Sequence, residues 1–247
     1  MSKNILIDIE GTISSLSFVK ETLFPYSKDN LKDYILQNYE FEPRLFPIVD
    51  QVLEAVKNGE AEGINYDPAQ ESIIIETQLF TAIQALLTWI KEDRKITPLK
   101  ELQGLIWEKG YKDGSYQGHL YEDAYEWLKQ EKEQGSNIYV YSSGSVKAQQ
   151  LLFEFSKFGD IRELFTDFFD TKIGQKKSLD SYKAIALKIG IPPKEIHFYS
   201  DIEAELDAAA KAGLSVTQVR RKEDYNEDVV DLKYKLIRTF KELDSSV

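Results

Sequence analysis

The chain has 247 residues, with 42 acidic and 31 basic side chains and a formal net charge of −11 at pH 7. This acidic balance, without any basic run, argues against binding to nucleic acid or to an anionic membrane surface. The sequence contains no cysteine, which excludes disulfide bonds, thiolate metal sites and a cysteine nucleophile.

The first predicted element is a short apolar strand, Ile5-Leu6-Ile7, of the kind that is buried on both faces of a parallel sheet. From about residue 18 to residue 110, apolar residues recur at three- and four-residue steps, which is typical of helices. We predict helical segments over residues 18–35, 48–59, 68–92 and 99–109, with a polar, glycine-bearing loop over residues 58–67.

Beyond Gly114 the pattern changes to alternating helices and strands. The predicted strands cover residues 138–141, either 164–165 or 168–169, 196–199 and 215–219. The predicted helices cover residues 121–134, 146–158, 179–189, 203–212 and 230–243. This order indicates the α/β class: a doubly wound parallel-sheet (Rossmann-like) core with an inserted all-helical cap domain. We assign residues 1–16 and 118–247 to the core and residues 17–117 to the cap.

The sequence also bears on where the protein acts. The first strand begins within a few residues of the N-terminus, which leaves no room for a signal peptide. No apolar run approaches the roughly 20 residues that a membrane span needs. We expect a monomer in the cytoplasm, with the nucleus as an alternative location, and no nucleic-acid or membrane partner.

Two carboxylates follow the first strand. Asp8 and Glu10 come just past its carboxyl end, where ligands bind in open α/β sheets, and Gly11 permits a sharp turn there. One carboxylate could attack a substrate or bind a cation while the other passes a proton, which is the chemistry of phosphoryl transfer. Taken alone, the same residues also fit a buried strand that ends in an ordinary polar turn.

A turn rich in serine follows the second strand. Ser142 and Ser143 would offer hydroxyls and backbone N–H groups to a phosphate at a strand-to-helix turn. The alternative is that Ser145 caps the following helix and that the preceding residues merely turn the chain.

Two further charged residues lie near predicted strand ends. Asp201 follows the third core strand and could coordinate Mg²⁺, although capping of the next helix is the commoner role of such a residue. Considered alone, Lys176 would be interpreted as an exposed surface charge. A phosphate that faces Asp8, Glu10 and Asp201 needs a cation, and Lys176 could supply one.

Taken together, these residues resemble the four motifs of the haloacid-dehalogenase superfamily of phosphohydrolases: Asp8-x-Glu10-Gly11-Thr12, Ser143, Lys176 and Asp201. The match is closer to one branch, the acireductone-forming enolase-phosphatases of methionine salvage, in which the second acid is Glu. Further matching segments are Ser17-Phe18-Val19, Leu23-Phe24-Pro25-Tyr26, Leu102-Gln103-Gly104 with Trp107, Tyr141 to Val146 with Ala148-Gln149, and Gly174-x-Lys176 with Ser181-Tyr182. Two segments depart from the branch, Ile13 to Leu16 and Tyr199-Ser200-Asp201, and they concern substrate preference rather than chemistry.

The resemblance implies a bifunctional, Mg²⁺-dependent enzyme that converts 2,3-diketo-5-methylthiopentyl-1-phosphate, a small phosphorylated diketone, to acireductone and phosphate. It implies catalytic roles for Asp8 as the nucleophile, Glu10 as the proton donor and acceptor, and Lys176. Substrate binding falls to Ser142, Ser143 and Lys176. Asp8, the carbonyl of Glu10 and Asp201 would hold the metal ion. The group that removes the carbon-bound proton is not identified by the sequence.

Three alternatives stand beside this interpretation. A phosphatase of the same superfamily could act on another small phosphate ester, and a hydrolytic dehalogenase is disfavoured because halide displacement needs neither Glu10 nor Mg²⁺. A catalytically idle binding module would have no reason to keep all four motif residues. Among other residues, we expect His197 to be packed in the core, while His119 could contact a substrate. Trp107 and Tyr111 could shield the site, although aromatic packing is their default role.

Overall fold

A computed structural model describes residues 3–61, 63–64, 75–94, 96–225 and 233–244. The chain divides into two compact units, one formed by Met1–Lys20 with Tyr116–Val247 and the other by Glu21–Ser115. The boundaries of the core and of the cap that we assigned from the sequence remain predictions. None of the described helices is both long and apolar enough to span a bilayer.

The first unit contains a six-stranded sheet in which every neighbouring pair of strands is parallel. The strands are β1 (Asn4–Ile7), β2 (Asn137–Tyr141), β3 (Asp167–Phe169), β4 (Ile196–Ser200), β5 (Ser215–Val219) and β6 (Leu236–Ile237), and their order is β3-β2-β1-β4-β5-β6. The chain first winds outward from β1 through β2 to β3 and then crosses to the other side. The strand order therefore reverses beside β1, and open α/β sheets bind ligands at such a point.

Helices cover both faces of this sheet, as the sequence predicted for the doubly wound class. They are α5 (Glu122–Glu133), α6 (Val146–Glu154), α7 (Leu179–Ile189), α8 (Glu203–Lys211) and α9 (Lys241–Asp244). Successive strand residues point to opposite faces. Phe198 accordingly packs in one cluster with Tyr182 of α7 and Leu206 of α8, whereas Tyr199 meets Trp127 of α5, with ring centroids 5.2 Å apart.

The second unit is helical in its described part and consists of α1 (Phe24–Asn38), α2 (Leu45–Lys57), α3 (Ile75–Lys91) and α4 (Thr97–Lys112). A π-helical turn, Phe18–Leu23, leads into α1. The predicted apolar stripes form one buried cluster, in which Ile35, Val52, Leu86 and Leu102 are fully enclosed. The α/β class with a helical insertion, which the sequence predicted, is therefore confirmed.

Some predicted elements need correction. The terminal helix predicted over residues 230–243 is wrong over much of its described part, because Leu236 and Ile237 form β6 and helix appears only at Lys241–Asp244. The backbone of β5 pairs with this segment: the Arg220 N–H donates to the Ile237 carbonyl at 2.9 Å. An edge position in the sheet thus overrides the helical spacing of the apolar residues. Residues 230–232 of this predicted helix, residues 62 and 65–67 of the predicted loop and residues 68–74 of the predicted cap helix lie outside the described residues.

The structure also settles one alternative and shortens one predicted helix. The third strand is Asp167–Phe169, so the later of its two predicted positions is correct, and Arg162–Leu164 forms a turn of 3-10 helix. Helix α6 ends at Glu154, earlier than the predicted residue 158.

Candidate active site

The carboxyl ends of three strands meet at one edge of the sheet. In the register of the sheet, Ile7 lies beside both Val140 and Tyr199. By this register Asp8 is level with Tyr141 and Ser200, and Ser142 and Asp201 follow one residue later on the neighbouring strands. The sheet itself brings these residues together from distant parts of the chain.

The turn after β1 is tight and glycine-dependent. The N–H groups of Thr12, Ile13 and Ser14 all donate to the carbonyl of Ile9. Gly11 has a φ of 71°, and a Cβ atom at this position would collide with the carboxylate of Asp201. Glycine is required both for the left-handed backbone and for this close approach.

Three buried charges form the centre of the site. The Lys176 ammonium lies 2.6 Å from Oδ1 of Asp8 and 2.7 Å from Oε2 of Glu205. The exposed fractions of Lys176, Asp8 and Glu205 are 8%, 4% and 7%. Burial alone would lower the pKa of Lys176, but the two carboxylates outweigh burial and raise it above its ordinary value. Lys176 is therefore a permanent cation between two acids.

Hydrogen bonds that involve the backbone hold Lys176 and Asp8 in place. The Tyr182 hydroxyl donates to the Lys176 carbonyl at 2.7 Å. The N–H of Ile9 donates to Oδ1 of Asp8 at 2.7 Å, so that this oxygen accepts both a backbone donor and the ammonium group. The neighbouring Lys177 is exposed, which distinguishes two adjacent lysines that look alike in the sequence.

Glu205 is a site residue that our sequence reasoning did not assign. It accepts from the Ser200 hydroxyl at 3.0 Å as well as from Lys176. Burial, and then the charge of Asp8, raises the pKa of the Glu205 carboxyl, while Lys176 opposes that shift. The available signal was the spacing, since Glu205 lies one helical turn beyond Asp201 in a helix that starts at the strand end.

Asp201 is buried next to this triad. Its N–H donates to Oγ1 of Thr12 at 3.1 Å, and its Oδ2 accepts a short hydrogen bond from the Tyr225 hydroxyl. The alternative role as a helix cap is wrong, because α8 is preceded by Ile202 and has no side-chain cap. Burial, followed by the charge of Asp8, raises the pKa of Asp201 to about 8. Asp8 and Asp201 thus form a pair of carboxylates that repel each other.

The donor set fits a hard divalent cation. Oδ1 of Asp201 is buried and has no hydrogen-bond partner among the described residues, which is costly unless a cation or a donor meets it. Within the same residues, no group of three or more His, Cys, Asp or Glu side chains is placed to hold a metal. Proteins usually bind Mg²⁺ through one or two carboxylates together with backbone, water and substrate oxygens.

The serine turn after β2 caps the next helix and lies at the strand end beside Asp8. Ser145 caps α6 by accepting the Ala148 N–H at 3.2 Å, so the capping interpretation holds for this residue. Oγ of Ser142 accepts the Gly144 N–H at 3.3 Å, and Ser143 is exposed in the turn. Ser142 and Ser143 lie on the strand end adjoining Asp8, and their phosphate contacts stay a prediction.

The turn after β1 also carries Glu10. This residue forms an isolated bridge with Ser14 and is partly buried, beside the strand end that carries Asp8. The structure brings Asp8, Lys176 and Asp201 together. Glu10 lies two residues beyond Asp8 on the turn that follows β1. Its proton-transfer role stays a prediction.

The other candidate residues have structural partners. Nε2 of His197 lies 2.8 Å from the Thr217 hydroxyl, and burial lowers the pKa of His197 to about 4, as expected for a packed core residue. Nδ1 of His119 accepts the Ser15 N–H at 3.0 Å, so His119 supports the chain after the Gly11 turn. In the helical unit, the Trp107 indole donates to the Leu23 carbonyl and Tyr111 is buried, in agreement with aromatic packing.

Comparison with known proteins agrees with this geometry. A family model described as haloacid dehalogenase-like hydrolase matches residues 3–213. The fold and the site therefore define a hydrolase of the haloacid dehalogenase type.

Individual relatives identify a narrower family within this class of hydrolases. The chain is 52% identical to Enolase-phosphatase E1 of Aquifex aeolicus over 88% of this chain and 90% of that protein. It is 45% identical to Enolase-phosphatase E1 of a Sulfurihydrogenibium species over 99% and 98% of the two chains. The crystal structure of Unknown transcript 4 protein from Saccharomyces cerevisiae is 31% identical with a TM-score of 0.75, and covers 98% of this chain and 99% of that one. The chain belongs to the enolase-phosphatase family of haloacid dehalogenase-like hydrolases and is a phosphatase.

The two adjacent lysines provide a test of the site. We expect Lys176→Ala to lower kcat by about 100- to 1,000-fold, as for loss of one charged donor in a site that excludes water. The matched variant Lys177→Ala should change phosphate release by less than twofold, because that side chain is exposed. A steady-state phosphate-release assay compares the two, and a larger loss in Lys177→Ala would contradict the assignment.

Proposed function

We propose that this enzyme is a Mg²⁺-dependent enolase-phosphatase of methionine salvage. It would convert 2,3-diketo-5-methylthiopentyl-1-phosphate to 1,2-dihydroxy-3-keto-5-methylthiopentene (acireductone) and phosphate. The observation that carries the proposal is the Lys176 ammonium held between Asp8 and Glu205, near Oδ1 of Asp201, which is buried and has no hydrogen-bond partner among the residues that the structure describes. The names of its relatives, Enolase-phosphatase E1, support the combination of an enolase and a phosphatase activity.

Asp8 is proposed as the nucleophile. Lys176 and the Ile9 N–H both contact its Oδ1, which fixes the orientation of the carboxylate at the strand end. Attack on phosphorus forms the Asp8 acyl phosphate and breaks the bond to the enol oxygen. Water then attacks the same phosphorus, which releases phosphate and restores the Asp8 carboxylate.

Glu10 is proposed to move the protons in both steps. It follows Asp8 by two residues, on the turn that Gly11 makes tight. Its carboxyl would donate a proton to the leaving enol oxygen and, as a carboxylate, would take one from the attacking water. One residue can serve both steps because the first step leaves it in the form that the second requires.

Positive charge at the phosphate would come from two sources. Mg²⁺, when held by Asp8, Asp201 and the backbone carbonyl of Glu10, would neutralise the phosphate so that a carboxylate can approach it. Lys176 supplies a fixed charge, and Ser142 and Ser143 would donate hydrogen bonds to the phosphate oxygens from the neighbouring turn.

The enolase step is proposed to use the same site. Enolisation needs an anchored phosphate and polarised carbonyl groups, and the set formed by Lys176, Ser142, Ser143 and Mg²⁺ would provide the anchor. The four central side chains, Asp8, Lys176, Asp201 and Glu205, come from one chain, which supports activity as a monomer. The net charge of −11 offers no general attraction for nucleic acid, and we propose a cytoplasmic location.

The function can be tested directly with the diketone phosphate. Acireductone absorbance and phosphate release should rise together in the presence of Mg²⁺, stop after chelation and return when Mg²⁺ is restored. Ca²⁺ should support poor turnover because it is larger and looser in geometry. Activity on a generic phosphate ester without activity on the diketone would indicate a different phosphatase, and full activity after exhaustive chelation would contradict the metal site.

The two steps can be separated with Asp8→Asn. We expect this variant to release no phosphate but to retain exchange of the enolisable hydrogen, because the carboxamide is a poor nucleophile and still offers an oxygen to the metal. Uptake of solvent deuterium, measured beside phosphate release, checks this split. Asp160→Asn, which changes a surface acid paired with Arg162, is the matched control and should behave as the parent protein. Normal exchange in metal-free enzyme would contradict a shared site.

A further inference from the structure

The loop that follows β5 contacts the site through several side chains. Nε of Arg221 donates to the Thr12 carbonyl at 2.8 Å. Oδ1 of Asp224 accepts the Leu16 N–H at 3.0 Å. The Tyr225 hydroxyl donates to Oδ2 of Asp201. The loop therefore holds both the turn after β1 and the acid at the end of β4.

Tyr225 is itself held in place. The Arg220 guanidinium lies over its ring, 4.2 Å from the centroid. A phenol keeps its proton at neutral pH, so the hydroxyl is the donor and the Asp201 oxygen is the acceptor. A Phe side chain would preserve the ring and the stacked arginine, and would remove only the hydrogen bond.

The two oxygens of Asp201 therefore differ. Oδ2 is occupied by Tyr225, whereas Oδ1 is buried with no hydrogen-bond partner in the part of the chain that the structure describes. The backbone of Asp201 is fixed as well, because its N–H donates to Thr12 and its carbonyl accepts from the Gln218 amide at 3.2 Å. With its backbone anchored and one oxygen engaged, the carboxylate has little freedom to rotate.

We propose that Tyr225 is a positioning residue that directs Oδ1 of Asp201, and this oxygen alone, toward the metal ion. The inference rests on the proposed Mg²⁺ site. Partners of a ligating carboxylate orient it, and their loss typically weakens metal affinity 10- to 100-fold. A carboxylate that is free to rotate could bind the metal ion through either oxygen or through both. The geometry of the metal site would then not be fixed.

The test measures Mg²⁺ binding to the substrate-free enzyme by isothermal titration calorimetry. Tyr225→Phe should raise the Kd for Mg²⁺ about tenfold or more. The Mg²⁺ concentration for half-maximal phosphate release should rise by a similar factor, while kcat at saturating Mg²⁺ changes less than threefold. A merely structural role would not produce this split between metal dependence and kcat.

Two further variants make the result decisive. Tyr234→Phe removes a tyrosine hydroxyl that donates at 2.6 Å to a different carboxylate, Asp207 on α8, and should bind Mg²⁺ as the parent does. Asp201→Asn should lose most of its Mg²⁺ affinity. If Asp201→Asn binds normally, the proposed metal site fails.

If Asp201→Asn is impaired while Tyr225→Phe shows a change in Kd below threefold, only the role of Tyr225 fails. Tighter Mg²⁺ binding by Tyr225→Phe would also overturn the inference, because it would show that the Tyr225 hydroxyl competes with the cation for Asp201. Circular dichroism of the metal-free variants confirms that each one is folded.

Discussion

The structure of the site depends on one buried ammonium group. Lys176 is placed between Asp8 and Glu205, and all three side chains are almost entirely withdrawn from solvent. Burial of an isolated charge is strongly unfavourable, so each member of the triad is tolerated only because the others are present. The lysine therefore pairs with a carboxylate that is enclosed at the end of the central strand and fixes its orientation.

The same arrangement leaves a deficit of positive charge. Lys176 supplies one positive charge against Asp8 and Glu205, and Asp201 lies nearby, where burial and then the charge of Asp8 raise its pKa. One of its oxygens has no hydrogen-bond partner in the described structure. A site with three acids and one lysine is suited to a further cation, and in the proposed function the metal ion and the Lys176 ammonium would both face the phosphate. The close approach of Gly11 to Asp201 keeps this set compact.

Much of the fold could be predicted from local pattern. The apolar strands that end in polar residues, such as β1 with Asp8 and β4 with Asp201, are visible in the sequence because burial on both faces demands uninterrupted apolar runs. Parallel strands put their carboxyl ends at one edge, so the convergence of these acids with the turn after β2 could also be predicted. The strand β6 could not, because its formation depends on an open sheet edge rather than on the spacing of Leu236 and Ile237.

The supporting residues were harder to find. Tyr225 and Arg221 act from a loop with no periodicity, and their partners Asp201 and Thr12 are distant in sequence. Glu205 was visible as an acid near Asp201, but its pairing with Lys176 depends on how the first turn of α8 faces the loop that carries the lysine. Local pattern identifies the groups that perform chemistry more readily than those that position them.

The central claim is that Lys176 holds Asp8 as the nucleophile that accepts the phosphoryl group. It can be tested by mixing excess enzyme with the diketone phosphate and Mg²⁺, quenching rapidly in acid and analysing tryptic peptides by mass spectrometry. Cleavage after Lys3 and Lys20 isolates a peptide of residues 4–20 that contains Asp8. The account predicts a transient phosphate on Asp8 in this peptide, which borohydride reduction would locate. Release of phosphate with no labelled Asp8 at any quench time, or a label on another residue, would contradict it.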